Sequence, residues 1–182
     1  MSHASESTVE TVIAKQGLVV SDSARASEVG AAILKQGGNA VDAAVATALA
    51  LAVTFPEAGN LGGGGFMLVC PADGAEPLCI EYRETAPAAA SANMFGLGER
   101  GLGHKVVGVP GTLRGLELAH QRFGKLPWKT LVEPAVGLAA EGFELGRPLA
   151  GALNELVASS QAFAELRRVF GKDGGAAQWQ AG

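Results

Sequence analysis

Apolar and polar positions change rhythm along this chain, and the changes mark its elements. "GLVVSDS" (17–23) reads as a short strand running into a turn. Ser21 or Ser23 then caps a helix that runs to about Lys35 and stops at Gly37-Gly38. Asn39, with Asp42 three residues on, opens a second helix. Its sequence "AVDAAVATALALAV" is apolar nearly all round, so it belongs in the interior, and Pro56 ends it. Beyond a run of four glycines, "FMLVC" and "LCIEYRE" flank the turn-rich "PADGAEP", the pattern of a hairpin with a long loop. "KVVGV" (105–109) predicts a third short strand. Pro110-Gly111-Thr112 predicts a helix start with Thr112 as cap and Gly124 as stop. A further helix covers about "EPAVGLAAEG", with Pro134 in its first turn. A last one fills most of 148–170 with a break near Ser159-Ser160, followed by a tail without strong pattern. Residues 1–13 read as disordered, and no internal repeat is present. Helices, then a hairpin and a strand, then helices: this is a mixed α/β (α+β) layout, not a βαβ alternation. Few strands are available to cover the apolar helix surface, so the sheet is expected to be incomplete and the chain to be part of a larger protein.

Composition narrows the classes. With 182 residues, the chain can bury one real core. It is 48% hydrophobic with one Tyr and two Trp, so packing relies on small side chains. A net charge of −4 with no Lys/Arg cluster speaks against a nucleic-acid surface. Cys70 and Cys79 flank one loop and read as free thiols. They and the scattered His3, His104 and His120 do not make metal-ligand spacing, so neither a metal nor a cofactor is expected. The start "SHASESTVET" has no apolar core of a signal peptide, which predicts a cytoplasmic chain as written, unless a leader was removed. The most apolar run, 41–55, carries Asp42, Thr47 and Thr54 and is shorter than the ~20 residues of a membrane span.

Two stretches raise chemical questions. "NLGGGGF" leads into a strand with no Lys following, so it is no phosphate loop. The spacing G-x-G-x-x-G occurs at Gly96, Gly98 and Gly101, before a strand and not after one, which reads as a surface loop. In "IEYRETAP" (80–87), Arg83 stands at a strand end beside Glu81 and Glu84. It is either a surface ion pair or a guanidinium fork for a carboxylate, and spacing alone favours the ion pair. No Ser, Cys or His set falls at nucleophile–base spacing.

Three long segments change that balance. "LKQGGNAVDAAVATALALAVTFPEAGNLGGGGFMLV", "IEYRETAP" and "GVPGTLRGLELAHQRFGKLPWKTLVEPAVGLAAEGF" resemble, in order and spacing, the N-terminal part of the γ-glutamyltranspeptidases, from about Ala14 to Phe143 and more weakly to Gly174. The resemblance implies an N-terminal-nucleophile hydrolase, a four-layer αββα sandwich of which only the N-terminal portion is present. It implies a precursor that cleaves itself to free an N-terminal threonine, which carries the γ-glutamyl group as an acyl-enzyme to water, amino acids or peptides. By the motif match, Arg83 binds the α-carboxylate of the γ-glutamyl group. Gly62, Gly63, Gly64 and Gly65 form a packed corner near the site, where a buried helix and the sheet close together. The partners implied are a small-molecule γ-glutamyl substrate, the rest of the large subunit and the small subunit. The nucleophile lies on that small subunit, so these residues alone are expected to be inactive. The resemblance extends to cephalosporin acylases and poly-γ-glutamate depolymerases, and a non-catalytic remnant is the alternative of another class. Family members are often periplasmic or secreted.

Overall fold

In a computed structural model, residues 11–97, 99 and 103–182 are described. The predicted disorder of residues 1–10, and the Gly98 and Gly101 of the glycine-spaced loop, lie outside them.

Helix α1 (Ala24–Lys35) begins at Ser23, whose extended backbone lets its Oγ accept from Ala26 N at 3.4 Å. Gly37, at φ +90°, supplies the left-handed turn that ends α1. Its N–H bonds to Leu34 O and that of Gly38 to Ile33 O, which satisfies the last carbonyls. Asn39 then opens α2 (Ala40–Thr54) through a complete capping box. Its Oδ1 accepts from Val41 N and Asp42 N at 3.0 Å, and Asp42 Oδ2 accepts Asn39 N at 2.9 Å. As its composition demands, α2 is the central element: Val45, Ala46, Leu49 and Ala50 are buried, with α1 and α4 against it.

The hairpin pairs β1 (Phe66–Val69) with β2 (Leu78–Glu81), antiparallel, with Met67 opposite Ile80 and Leu68 opposite Cys79. Met67, Val69, Leu78 and Ile80 pack on the core that Ile33, Leu116 and Leu131 complete. Phe66 and Leu68 stand exposed on the outer face. Cys70 and Cys79 are free and exposed, as expected.

Two predicted strands do not form. Residues 17–20 alternate as a strand does, with Val19 packed on the core and Leu18 and Val20 exposed, but no described segment lies beside them to complete a ladder. "KVVGV" becomes a 3-10 turn (His104–Val106) and a single bridge between Val109 and Thr85. Pro110 follows at once, and without an N–H it cannot extend the pairing.

Helix α3 (Thr112–Phe123) starts one residue earlier than a Thr112 cap requires: Gly111 is the cap residue and no side chain caps it. Helix α4 (Trp128–Glu141) starts earlier than expected, so Pro134 lies in its interior and not its first turn. The lost amide is tolerated because Leu131 and Ala135, one turn apart, bury the same face. Asp42, fully buried, ties the α3–α4 connection to α2: its carboxylate accepts Lys125 N at 3.0 and 3.1 Å and Leu126 N at 3.3 Å. The C-terminal helix is broken at Ser160 into α5 (Arg147–Ser159) and α6 (Ala164–Phe170), as predicted. The tail is more ordered than its pattern implied. Trp179 exchanges two hydrogen bonds with the Asn154 side chain, and its indole N–H donates to Phe170 O at 2.8 Å.

Candidate functional site

Arg83 lies two residues past β2, at the end of the hairpin. Its Nε stands 3.3 Å from Glu84 Oε2, and its side chain is 58% exposed. That contact is close in distance but is not aligned as a hydrogen bond, and Glu84 Oε2 is a buried oxygen without a hydrogen-bond partner among the described residues. So exposed an ion pair contributes little to stability. What holds Arg83 in place is its backbone.

The glycine run supplies one side of that hold. Gly65 continues the hairpin pairing: its carbonyl accepts Tyr82 N at 2.9 Å. Gly64 lies flat against residues 82–84. A Cβ there would overlap Tyr82 O and stand 2.8 Å from both Arg83 Cα and Glu84 N, closer than real contacts allow. Gly63 is buried beneath the Asn60 carboxamide, and its carbonyl accepts both Gly111 N at 2.8 Å and Thr112 N at 3.0 Å. That carbonyl satisfies the first two amides at the start of α3. Gly62 differs from its neighbours: a Cβ there meets nothing within 4 Å.

Helix α3 closes on the other side. Gly111 abuts the carbonyls of Tyr82 and Arg83, and Gly115, one turn on, makes the groove that seats the Tyr82 ring. Burial in that groove pushes the Tyr82 phenol above its ordinary pKa. The close approach of helix and sheet predicted for the four glycines is thus divided. Gly63 and Gly64 bring the strand end and α3 together, and the approach to α2 falls to Gly59, packed on the Leu51 backbone. Beside this corner lies a cavity of about 230 Å³, lined by Asp22, Leu51, Asn60, Gly64, Tyr82 and Thr112.

Sequence reasoning singled out Arg83 and the glycines. It missed Asn60, Tyr82, Gly111 and Gly115. The spacing of Gly111 and Gly115, one helical turn apart, was a usable sign of a groove for a large side chain. Nothing local marked Asn60 and Thr112 as neighbours. The described histidines assemble no nucleophile: His120 Nε2 lies 2.7 Å from Leu126 O, with the ring against Trp128, and His104 sits in the 3-10 turn. Among the described residues no three His, Cys, Asp or Glu gather as metal ligands, and no helix is long and apolar enough to cross a membrane.

Comparison with known proteins places this corner in context. The γ-glutamyltranspeptidase family model matches residues 26–181. The glutathione hydrolase proenzyme of Pseudomonas aeruginosa is 53% identical over 137 residues, 71% of this chain and 24% of that protein. The crystal structure of Helicobacter pylori γ-glutamyltranspeptidase superposes with a TM-score of 0.88 at 37% identity, over 95% of this chain and 51% of that one. A cephalosporin acylase from Bacillus halodurans superposes with a TM-score of 0.81 at 29% identity, over 88% of this chain and 31% of that one. The chain therefore spans about a quarter of the length of the curated relatives it matches.

Proposed function

This chain belongs to the γ-glutamyltranspeptidase family and shares its N-terminal-nucleophile hydrolase fold, and from that premise we propose that it forms the carboxylate-binding side of an enzyme that cleaves γ-glutamyl amides. Glutathione is the substrate named by its relatives. In this reading the α-carboxylate of the γ-glutamyl group docks on Arg83. The nucleophile, an N-terminal threonine, comes from the catalytic portion of the protein. Its hydroxyl attacks the γ-carbonyl while its own amine takes the proton, the amine leaving group departs protonated, and a γ-glutamyl ester remains. Water or the amine of an amino acid or peptide then resolves that ester.

One observation carries the assignment. The Arg83 backbone is fixed from both sides by Gly64 and Gly111, while among the described residues its guanidinium forms one ion pair, with Glu84 on the Nε side. Its terminal nitrogens make no hydrogen bond to the described residues, so the two-pronged edge that suits a carboxylate is left for a ligand. The likeness to a cephalosporin acylase supports a second reading, in which the complete protein is an acylase acting on an amide of another acyl group, and turnover confined to such amides is its mark.

The test uses the complete protein, this chain together with the portion that carries the threonine. Release of the aniline from γ-glutamyl anilide, and its suppression on the analogue lacking the α-carboxylate, supports the assignment. Turnover confined to glutaryl amides supports the acylase instead. Equal turnover with and without the α-carboxylate overturns the role of Arg83.

A further inference from the structure

The polar side chains under the glycine run have no part in the mechanism above. Thr112 is buried, yet its hydroxyl does not cap α3, because Gly111 holds the cap position and Thr112 is already the first residue of the helix. The hydroxyl instead donates across the fold to Asn60 Oδ1, at 3.4 Å. Asn60 Nδ2 donates to Ala58 O at 2.9 Å, which folds the carboxamide back over the turn. There it fills the space above Gly63 so closely that a Cβ at 63 would overlap it. The next residue, Gly64, is the one pressed against Arg83 Cα.

From this chain of contacts we infer that Thr112, acting through Asn60, is a positioning residue for Arg83: it sets the height of the glycine run and thereby where the guanidinium meets the substrate carboxylate. The inference rests on the reading of Arg83 given above. A merely structural role fits less well. A single hydroxyl bond at this length adds little to stability, and the amides of Gly111 and Thr112 are satisfied without it. The Arg83 side chain, by contrast, forms an ion pair with Glu84 and no hydrogen bond among the described residues, so its direction is set largely by its backbone.

Thr112→Val removes the hydroxyl and keeps the shape, Thr112→Ser restores it, and Asn60→Ala removes the acceptor from an exposed position. All three are compared with Arg83→Lys in the complete protein, on γ-glutamyl anilide and on 4-aminobutanoyl anilide, which lacks the α-carboxylate. For Thr112→Val and Asn60→Ala, KM for γ-glutamyl anilide should rise about three- to tenfold with kcat within about twofold, the size expected for one neutral hydrogen bond. The kcat/KM for 4-aminobutanoyl anilide should stay within about twofold, and Thr112→Ser should behave as the parent. Should Thr112→Val not mature, Asn60→Ala decides alone. A selective loss in Arg83→Lys with equal or no losses in the Thr112 and Asn60 variants overturns the inference and leaves the role of Arg83 standing. Equal losses on both substrates in Arg83→Lys overturn both.

Discussion

Helices α2 and α3 are joined at both ends, and the two junctions are made of different chemistry. At the start of α2, side chains make the join. The buried Asp42 carboxylate accepts the amides of Asn39, Lys125 and Leu126, and Asn39 Nδ2 reaches Phe123 O at the end of α3. At the other end, backbone does most of the work. Gly59 packs on the Leu51 backbone, Gly63 O holds the first amides of α3, and Gly64 and Gly111 enclose residues 82–84. The first junction spends its polar side chains on structure and leaves none for a ligand. The second is built mostly from residues with no side chain to spend, and in the function proposed above the long charged side chain that emerges there, Arg83, is left for one. A corner of bare backbone costs conformational entropy on folding. In exchange it brings three segments close enough to fix the backbone that carries Arg83.

The comparison breaks most sharply at the glycines. Gly64→Val places a branched side chain into Tyr82 O, Arg83 Cα and Glu84 N, which are backbone atoms that cannot step aside. The expected result is loss of folded protein, an effect above about 4 kcal/mol, in the range reserved for severe overpacking. Gly62→Val meets open space and should cost no more than about 0.5 kcal/mol. Soluble yield and thermal melts of the two variants measure this. Equal behaviour would mean that the run is generic loop and that the backbone account of this junction is wrong.

Next in size is Arg83→Lys, which keeps the charge and loses the fork. In the complete protein it should cost about 2–5 kcal/mol of binding to substrates with an α-carboxylate, much of it from leaving that carboxylate unpaired. That is a loss of about thirtyfold or more in kcat/KM, at 1.36 kcal/mol per decade. Melting should be unchanged, because an ion pair this exposed adds little. Asp42→Asn should show the reverse. The amide replaces one acceptor oxygen with a donor that faces N–H groups, so a cost of about 2–3 kcal/mol in a denaturant melt is expected. The kcat/KM of whatever protein stays folded should match the parent. If Asp42→Asn altered substrate selectivity, the division into a structural and a functional junction would not hold.

How much of this was legible follows the same division. Signals confined to a few neighbouring residues read correctly: the Ser23 cap, the Gly37 stop, the Asn39–Asp42 box, the hairpin, and the break at Ser160. Where distant backbone decides, local reading failed. Residues 17–20 carry the alternation of a strand, but a strand is a pairing and no described segment pairs with them. Thr112 has the side chain of a cap, but a carbonyl from position 63 holds the helix start instead. Pro134 sits inside α4 because the buried Leu131 and Ala135 outweigh its missing amide. Arg83 could not be told from a surface charge by spacing, and the role proposed for it came from resemblance to a family. The contact between Asn60 and Thr112 links residues 52 positions apart and has no counterpart in periodicity or composition.

The smallest effect tests how tightly the glycine junction closes, through the one tyrosine of this chain. Tyr82 sits in the groove of Gly115 and against Gly65, and burial raises its phenol above the ordinary value. The folded-state pKa therefore exceeds the unfolded one. Folded and unfolded states are both protonated below about 10, where the contribution to stability is fully present. As pH rises further, the unfolded state ionises first, and the contribution is lost as pH passes through the folded value. Protein labelled with ¹³C at the tyrosine ring, with the Tyr82 signal assigned by Tyr82→Phe, should show that signal titrating above the ordinary tyrosine range. Gly115→Ala places a methyl group where the ring now lies and should move the titration back toward that range as the ring is displaced into water. The parent signal titrating at the ordinary value would show that the ring is not held in the groove. The clamp on residues 82–84 would then be looser than the backbone contacts describe, and Arg83 would owe its position to Glu84 alone.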